Sequence, residues 1–364
     1  RQADKAKSAA NPCAEARASR SNESAPVEQV VVLGGGPAGL SAALYTARAG
    51  LCPVVVAPLV GGQLMAKGVN VENYPGVIGT RGASIVQDMR AQAQSFFADL
   101  RDDVVLSADL SKWPYTLRLN TSMQLQARAL IVATGADSRW LGVKGENELR
   151  GLGVSSCAAC DGPLFWNKRC VVIGGGDTAM EEALLLARIC ATVTVIHRRS
   201  RLRAGHLLQQ RVLSTEKIKL LWNSEVQEFM AGRASEQLQG SSSGRGAPLS
   251  GLLVRDVKTG LVTQLDADAA FVAIGHDPNT KMFHGQLRMS NVAGYLETGD
   301  RSSQTSLPGV FAAGDVADPT YRQAVTSAGS GAMAAMEAER WLSMQGDALT
   351  ELPAVSAGGL RSEL

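Results

Sequence analysis

Val30-Val31-Val32-Leu33-Gly34-Gly35-Gly36-Pro37-Ala38-Gly39 is a β-branched run that ends in glycines and opens into a helical pattern, with Leu40, Ala43, Leu44 and Ala47 on one face. The same grammar returns at Val171-Val172-Ile173-Gly174-Gly175-Gly176-Asp177-Thr178-Ala179, where Met180, Ala183, Leu184 and Ala187 follow on one helical face. Each unit reads as strand, glycine turn, helix. In such a turn the backbone N–H groups and a helix N-terminus can face a pyrophosphate, and only glycine lets the backbone approach that closely. One G-x-G-x-x-G is a weak signal, since a tight strand–helix turn looks the same. Two copies, each following a strand and opening a helix, are hard to read as anything but a repeated dinucleotide-binding unit.

Working outward, each helix leads to a second strand, Pro53–Ala57 in the first copy and Thr192–Ile196 in the second. Each copy closes on a strand and turn, Ala129–Gly135 and Ala270–Gly275. Beyond Gly275 the chain runs through Leu307–Asp315 into a helical segment, Tyr321 to Leu342. A third short strand-turn-helix without a domain of its own must return to an earlier one. The expected organisation is a discontinuous first domain, 27–139 plus 276–345, with a second domain, 140–275, inserted. Residues 1–26 and 346–364 read as tails, the first disordered, and 231–250 as a flexible hairpin loop.

The residues after the second strand separate the two ligands. In the second copy they are His197-Arg198-Arg199, with Arg203 four residues on. An acid there would hold a ribose diol, whereas arginines match a 2′-phosphate through charge-assisted bonds. This points to NADPH, although a solvated basic loop would look alike in isolation. In the first copy Ala57-Pro58 offers neither acid nor basic pair, which leaves FAD as the remaining common dinucleotide.

Length (364 residues) and 45% hydrophobic content allow more than one core, and a net charge of +2 gives no broad case for nucleic acid or an anionic membrane. No apolar run is long enough to span a bilayer. Six cysteines in this length are not a disulfide scaffold. Cys13, Cys52, Cys170 and Cys190 stand isolated, the last three in apolar surroundings that suit small buried side chains. The close pair is Cys157-Ala158-Ala159-Cys160, followed by Asp161. Zinc wants about four ligands, and the four histidines are scattered with no second cysteine pair, so redox chemistry is favoured over a metal site. Asp161 suits proton transfer to and from thiols, and equally suits a helix cap.

These motifs, in order over residues 27–343, resemble low-molecular-weight thioredoxin reductases: Gly34–Gly39, Gly61-Gly62-Gln63-Leu64, Val71–Gly76, Ala133-Thr134-Gly135-Ala136, Cys157–Gly162, Gly174–Ala179, His197-Arg198-Arg199, Phe271–Gly275 and Gly309–Asp315 with Tyr321-Arg322-Gln323-Ala324. Gly61–Lys67, Val154–Asp161 and Tyr321–Trp341 look most like the plant and cyanobacterial type that can carry a fused thioredoxin domain. No further Trp-Cys-x-x-Cys unit precedes Leu364, so the expectation is a stand-alone reductase or the reductase part of a longer product.

The resemblance implies an α/β protein of two Rossmann-like, three-layer domains, the second inserted in the first. It implies a flow of electrons from NADPH through FAD to a Cys157–Cys160 disulfide and on to thioredoxin, with the inserted domain swivelling between steps. Cys160 would sit nearer the flavin, Cys157 would attack the partner disulfide and Asp161 would shuttle the proton. FAD would be held by Gly34, Gly36, Pro37, Ala38, Gly39, Gly62, Gln63, Leu64, Asn73, Thr134, Gly135, Gly314, Asp315, Arg322, Gln323 and Ala324. NADPH would be held by Gly174, Gly176, Asp177, Thr178, His197, Arg198, Arg199 and Arg203. A homodimer through the FAD domain is implied, with no nucleic-acid or membrane partner. A plastid is the location suggested by the plant-type likeness, and the cytoplasm is the alternative.

Ala159 stands where the family usually has threonine, and Pro163 where an aromatic is usual; neither removes a reacting group. The competing readings are a related flavin disulfide reductase or dithiol oxidase with another acceptor, and a non-catalytic scaffold of the same fold. Arg198, Arg199 and Arg203 count against the oxidase, and the retained cysteines and glycines against the scaffold. The tryptophans, with Met333 and Met336, read as packing residues, the two methionines in helix core or a dimer contact.

Overall fold

A computed structural model describes residues 11, 13–14, 27–58, 62–66, 70–232, 247–291 and 294–346. The tail readings at 1–26 and 346–364 and the loop reading at 231–250 fall largely outside these residues. The chain separates into two compact units, one of Arg1–Asn70, Tyr74–Asp137 and Pro278–Leu364, the other of Val71–Asn73 and Ser138–Asp277.

In the first unit, β1 (Val27–Leu33) leads to α1 (Pro37–Arg48) and β2 (Val54–Val56). A single turn, α2 (Gln63–Ala66), and α3 (Gly82–Ser95) follow, then β3 (Asp99–Arg101), β4 (Val105–Asp109), β5 (Tyr115–Leu119) and β6 (Gln124–Val132). The sheet order is β3-β2-β1-β6-β5-β4. β1 is parallel to β2 and β6, with Leu33 beside both Val56 and Val132. Gly34, Ala57 and Ala133 therefore leave the sheet at one edge, the carboxyl ends of parallel strands, where folds of this kind place ligands. Alternate β1 residues fill two cores. Val30 and Val32 pack with Ala42, Ala43 and Ala335, and Val31 and Leu33 with Leu117, Phe283 and Val310. This two-sided burial is why the strand reads as a continuous valine run rather than alternating with polar residues.

In the second unit, β7 (Val154–Ser155) precedes the short α4 (Ala158–Asp161). Then come β8 (Arg169–Ile173), α5 (Asp177–Ala187), β9 (Thr192–His197), α6 (His206–Leu213) and β10 (Ile218–Trp222). Three antiparallel strands follow, β11 (Ser224–Ala231), β12 (Leu249–Asp256) and β13 (Val262–Asp266), before β14 (Ala269–Val272). The main sheet, β7-β14-β8-β9-β10, is parallel throughout. The chain then returns: β15 (Val310–Ala312) pairs parallel with β6 in the first sheet. Helix α7 (Ala324–Met344) begins at a capping box made by Gln323 and Thr326. Both units are thus Rossmann-like, the second inserted in the chain of the first.

Two sequence readings change, for the Cys13–Cys52 pair and for three exposed side chains, while the burial read for Cys170 and Cys190 holds. Cys13 and Cys52 are not isolated but joined in a disulfide. Cys170 and Cys190, buried and unbridged, lie with their sulfurs 3.2 Å apart. Trp166 is 68% exposed rather than packed, as are Met333 (39%) and Met336 (42%), which removes these methionines from the helix core.

Candidate active site

At the first glycine turn, Gly34 has φ +116°, and a Cβ there would lie 2.1 Å from the Ala133 carbonyl oxygen. This position can only be glycine, because the end of strand β6 passes directly against it. Gly36 is different, since a Cβ on it would meet nothing within 4 Å. Gly36 is the N-cap of α1, with Pro37 at the first helical position and no side-chain cap. The first-turn N–H groups, those of Ala38 and Gly39 among them, are therefore available to an acceptor from outside. Gly62 approaches Gly36, its would-be Cβ 3.6 Å from the Gly36 Cα, and Gln63, beside Leu64, donates from Nε2 to the Ala136 carbonyl.

Thr134 and Gly135 are bracketed by Asn279, a residue that no motif marks. Thr134 Oγ1 donates to the Asn279 carbonyl at 2.9 Å, and Asn279 returns bonds from Nδ2 to Thr134 O (3.1 Å) and from its N–H to Gly135 O (2.9 Å). Gly314 donates to Ser330 Oγ at 2.9 Å, and Asp315 Oδ1 accepts from Ser327 Oγ at 2.9 Å. Arg322 has φ +50°, held by its N–H to Asp318 Oδ2 at 2.9 Å, and it leads through Gln323 into Ala324, the first residue of α7. Asn73 belongs by its contacts to the second unit.

The second turn repeats the first. A Cβ on Gly174 (φ +154°) would sit 2.3 Å from the Ala273 carbonyl oxygen, while one on Gly176 meets nothing within 4 Å. Gly176 caps α5 without a side-chain bond. Asp177, the first residue of α5, accepts at Oδ1 from the Gly205 N–H at 2.7 Å, and Thr178 follows it in the first turn. Arg198, Arg199 and Arg203 are exposed beyond β9, with Arg203 N bound to Gly175 O at 2.7 Å. His197 lies apart from these arginines in character. It is 6% exposed, packs beneath Gly175, and sets Nε2 2.9 Å from the Arg201 carbonyl. Burial pulls its pKa down, the Arg199 and Arg203 charges pull it further, and the bond to Arg201 partly opposes them.

Between β7 and β8 lies the redox pair. Cys157 is the N-cap of α4, and a disulfide joins it to Cys160 with the Cα atoms 5.3 Å apart. Asp161 closes the same turn, its N–H bonded to Cys157 O at 3.1 Å, and it is 8% exposed. Ser155 on β7 ties the group together. Its hydroxyl donates to Asp161 Oδ2 at 2.6 Å and accepts from the Cys157 N–H at 3.1 Å. Glu182 on α5 accepts at Oε1 from the Ala158 N–H at 3.2 Å. Ser155 lies inside the Val154–Asp161 stretch without being marked out as a site residue, and Glu182 only lies near a motif. Ala159, Leu164 and Trp166 are exposed beside the pair, whereas Phe165 turns inward against Phe271. The other thiol pair is of a different kind, because burial pushes the Cys170 thiol far up and keeps it from forming a nucleophilic thiolate.

Two uncapped glycine turns and a disulfide with a buried carboxylate define a two-dinucleotide disulfide oxidoreductase. Residues 28–331 match the family model for pyridine nucleotide-disulphide oxidoreductases. A thioredoxin reductase of Streptomyces clavuligerus is 47% identical over 324 residues, covering 88% of this chain and 96% of that protein. One from Rickettsia typhi is 41% identical over 315 residues, 86% of this chain and 98% of that protein. The solved thioredoxin reductase from Giardia duodenalis superposes with a TM-score of 0.80 at 37% identity, over 87% of this chain and 99% of its own. The chain belongs to the thioredoxin reductase family, oxidoreductases that use FAD and NADPH. These relatives give no support to a plastid location. No helix among the described residues is long and apolar enough to cross a membrane.

Proposed function

We propose that this chain reduces the disulfide of a thioredoxin with electrons from NADPH, using FAD at the Gly34–Gly39 turn and the Cys157–Cys160 disulfide of the second unit. The observation that carries the reading is the buried Asp161 carboxylate, closed into one turn with the disulfide and held there by Ser155. Bound FAD and NADPH supply the two electrons that open that disulfide. The chain's own residues do the rest. The open N-termini of α1 and α5 receive the two pyrophosphates, with Gly36 and Gly176 leaving room for them. Arg198, Arg199 and Arg203 take the 2′-phosphate, and His197 supports the turn above it instead of touching the ligand. Gln63, Thr134, Asp315 and Arg322–Ala324 line the FAD side, and Asn279 fixes the Thr134–Gly135 turn. Cys157 attacks the partner disulfide as a thiolate, Cys160 resolves the mixed disulfide, and Asp161 holds and returns the proton.

A homodimer through the first unit is part of the same reading. Val325, Met333 and Met336 form an exposed apolar stripe on α7, and Met333→Glu with Met336→Glu is expected to yield monomers by light scattering. The cytoplasm is the proposed place of work.

The test is NADPH-driven reduction of a panel of thioredoxins by FAD-loaded protein beside Cys157→Ser. Turnover that disappears in the variant supports the assignment, and flavin reduction with no thioredoxin reduced in the wild type rejects it. Ser155→Ala is expected to lower the turnover rate by about tenfold and to shift its pH profile, with Ser155→Thr restoring both. An unchanged pH profile in Ser155→Ala would remove the positioning role.

A further inference from the structure

The Cys13–Cys52 disulfide has no part in the reaction above, and its place in the fold is informative. Cys52 lies between the last turn of α1 and the start of β2, so it stands at the amino ends of the parallel strands. The glycine turn stands at the carboxyl ends, one α1 length away, about 18 Å for a helix of twelve residues. Cys13 comes to this edge from the N-terminal segment. Asn11 Oδ1 accepts from the Cys13 and Ala14 N–H groups at 3.0 and 3.2 Å. Once bonded, Cys13 is 4% exposed while Cys52 remains half-buried, with a backbone φ of +48° that side-chain-bearing residues seldom adopt.

We propose that Cys13–Cys52 is a second redox site of this chain, a latch that fastens Cys13 to the turn between α1 and β2 and is opened by dithiols but not by NADPH. Cys52 is the more exposed residue of the two, so a thiolate of the incoming dithiol bonds to its sulfur. The Cys13 sulfur leaves as a thiolate and takes up a proton. The second thiol of the dithiol then closes on the mixed disulfide and releases Cys52 as a thiol. The dithiol ends as a disulfide, and its two electrons and two protons end on Cys13 and Cys52. Exclusion of NADPH rests on FAD lying at the Gly34–Gly39 turn, at the opposite edge of the sheet. A dithiol product of the proposed reaction is a reagent of the required class, so the latch would report how reduced the acceptor pool has become.

The experiment maps both disulfides in one digest of the full chain, prepared without reductant and loaded with FAD. Trypsin cuts after Lys7, Arg17, Arg48 and Lys67, so the latch appears as peptide 8–17 linked to peptide 49–67. The linked pair is expected in oxidised protein, is expected to survive anaerobic NADPH while Cys157 and Cys160 become alkylatable, and is expected to vanish in dithiothreitol. Cys13→Ser is expected to abolish the pair, to keep NADPH-driven turnover, and to lower the melting midpoint by about 5 °C, with no further drop on adding dithiothreitol. Free, alkylatable Cys13 and Cys52 in oxidised protein would overturn the latch, as would its opening by NADPH alone. A Cys157–Cys160 pair that NADPH fails to open would instead count against the proposed reaction and leave the latch standing.

Discussion

At Gly34 and at Gly174 an added Cβ would lie 2.1 and 2.3 Å from a carbonyl oxygen of the neighbouring strand end, whereas at Gly36 and Gly176 it would meet nothing within 4 Å. The two turns thus share one division of labour. The first glycine closes the protein on itself and the third leaves room for something else. They part company at the end of the second strand, which is Ala57-Pro58 in one unit and His197-Arg198-Arg199 in the other. On the proposed reading, the glycine turn makes a dinucleotide site and the end of the next strand chooses the dinucleotide.

The largest effect is expected at the closed glycines. Gly34→Ala and Gly174→Ala each set a Cβ into a backbone carbonyl at positive φ, and a loss of about 3 kcal/mol or more is expected in denaturant melts. Substitution of the open glycines separates the two ligands. Gly36→Val is expected to leave secondary structure intact and lose bound flavin, while Gly176→Val keeps flavin and weakens NADPH. Loss of both ligands in either variant would contradict the assignment of one ligand to each turn. Arg198→Ala with Arg199→Ala is expected to raise KM for NADPH by about 10–100-fold with NADH little changed. An equal effect on the two nucleotides would remove the 2′-phosphate role.

The smallest effect is a pH dependence present in one unit alone. His197 is held neutral by burial and by nearby arginines, so its folded pKa lies below the ordinary 6.5. The unfolded chain then binds the extra proton first. The contribution is fully present above about pH 6.5 and is lost as pH falls through the lower folded value. Urea melts across this range should show stability falling with acid, and His197→Gln should flatten that trend.

Much of this was legible because the determining features are local. A valine strand, a glycine turn and a helix occupy about twenty consecutive residues, and a C-x-x-C is read at a glance. The antiparallel β11–β13 layer was legible only as a hairpin around 231–250, and its strands were not. The pairing of β11 with β12 shifts register between Val226 and Glu228 and again between Met230 and Ala231, which breaks the two-residue alternation that marks a strand. Nor were Ser155, Glu182 and Asn279 legible as site residues, since each acts through a partner delivered by tertiary packing. The Cys13–Cys52 bond joins residues 39 apart in sequence, and no spacing rule pairs two cysteines at that separation.

Electrons from NADPH are expected to arrive at Cys157–Cys160. The most direct test is an anaerobic titration of the FAD-loaded chain with NADPH, following flavin absorbance and counting new thiols by mass after alkylation. Two new thiols are expected, both in the tryptic peptide 151–168, and none there when Cys157 and Cys160 are serines. Flavin that is reduced while peptide 151–168 keeps its disulfide would contradict this expectation.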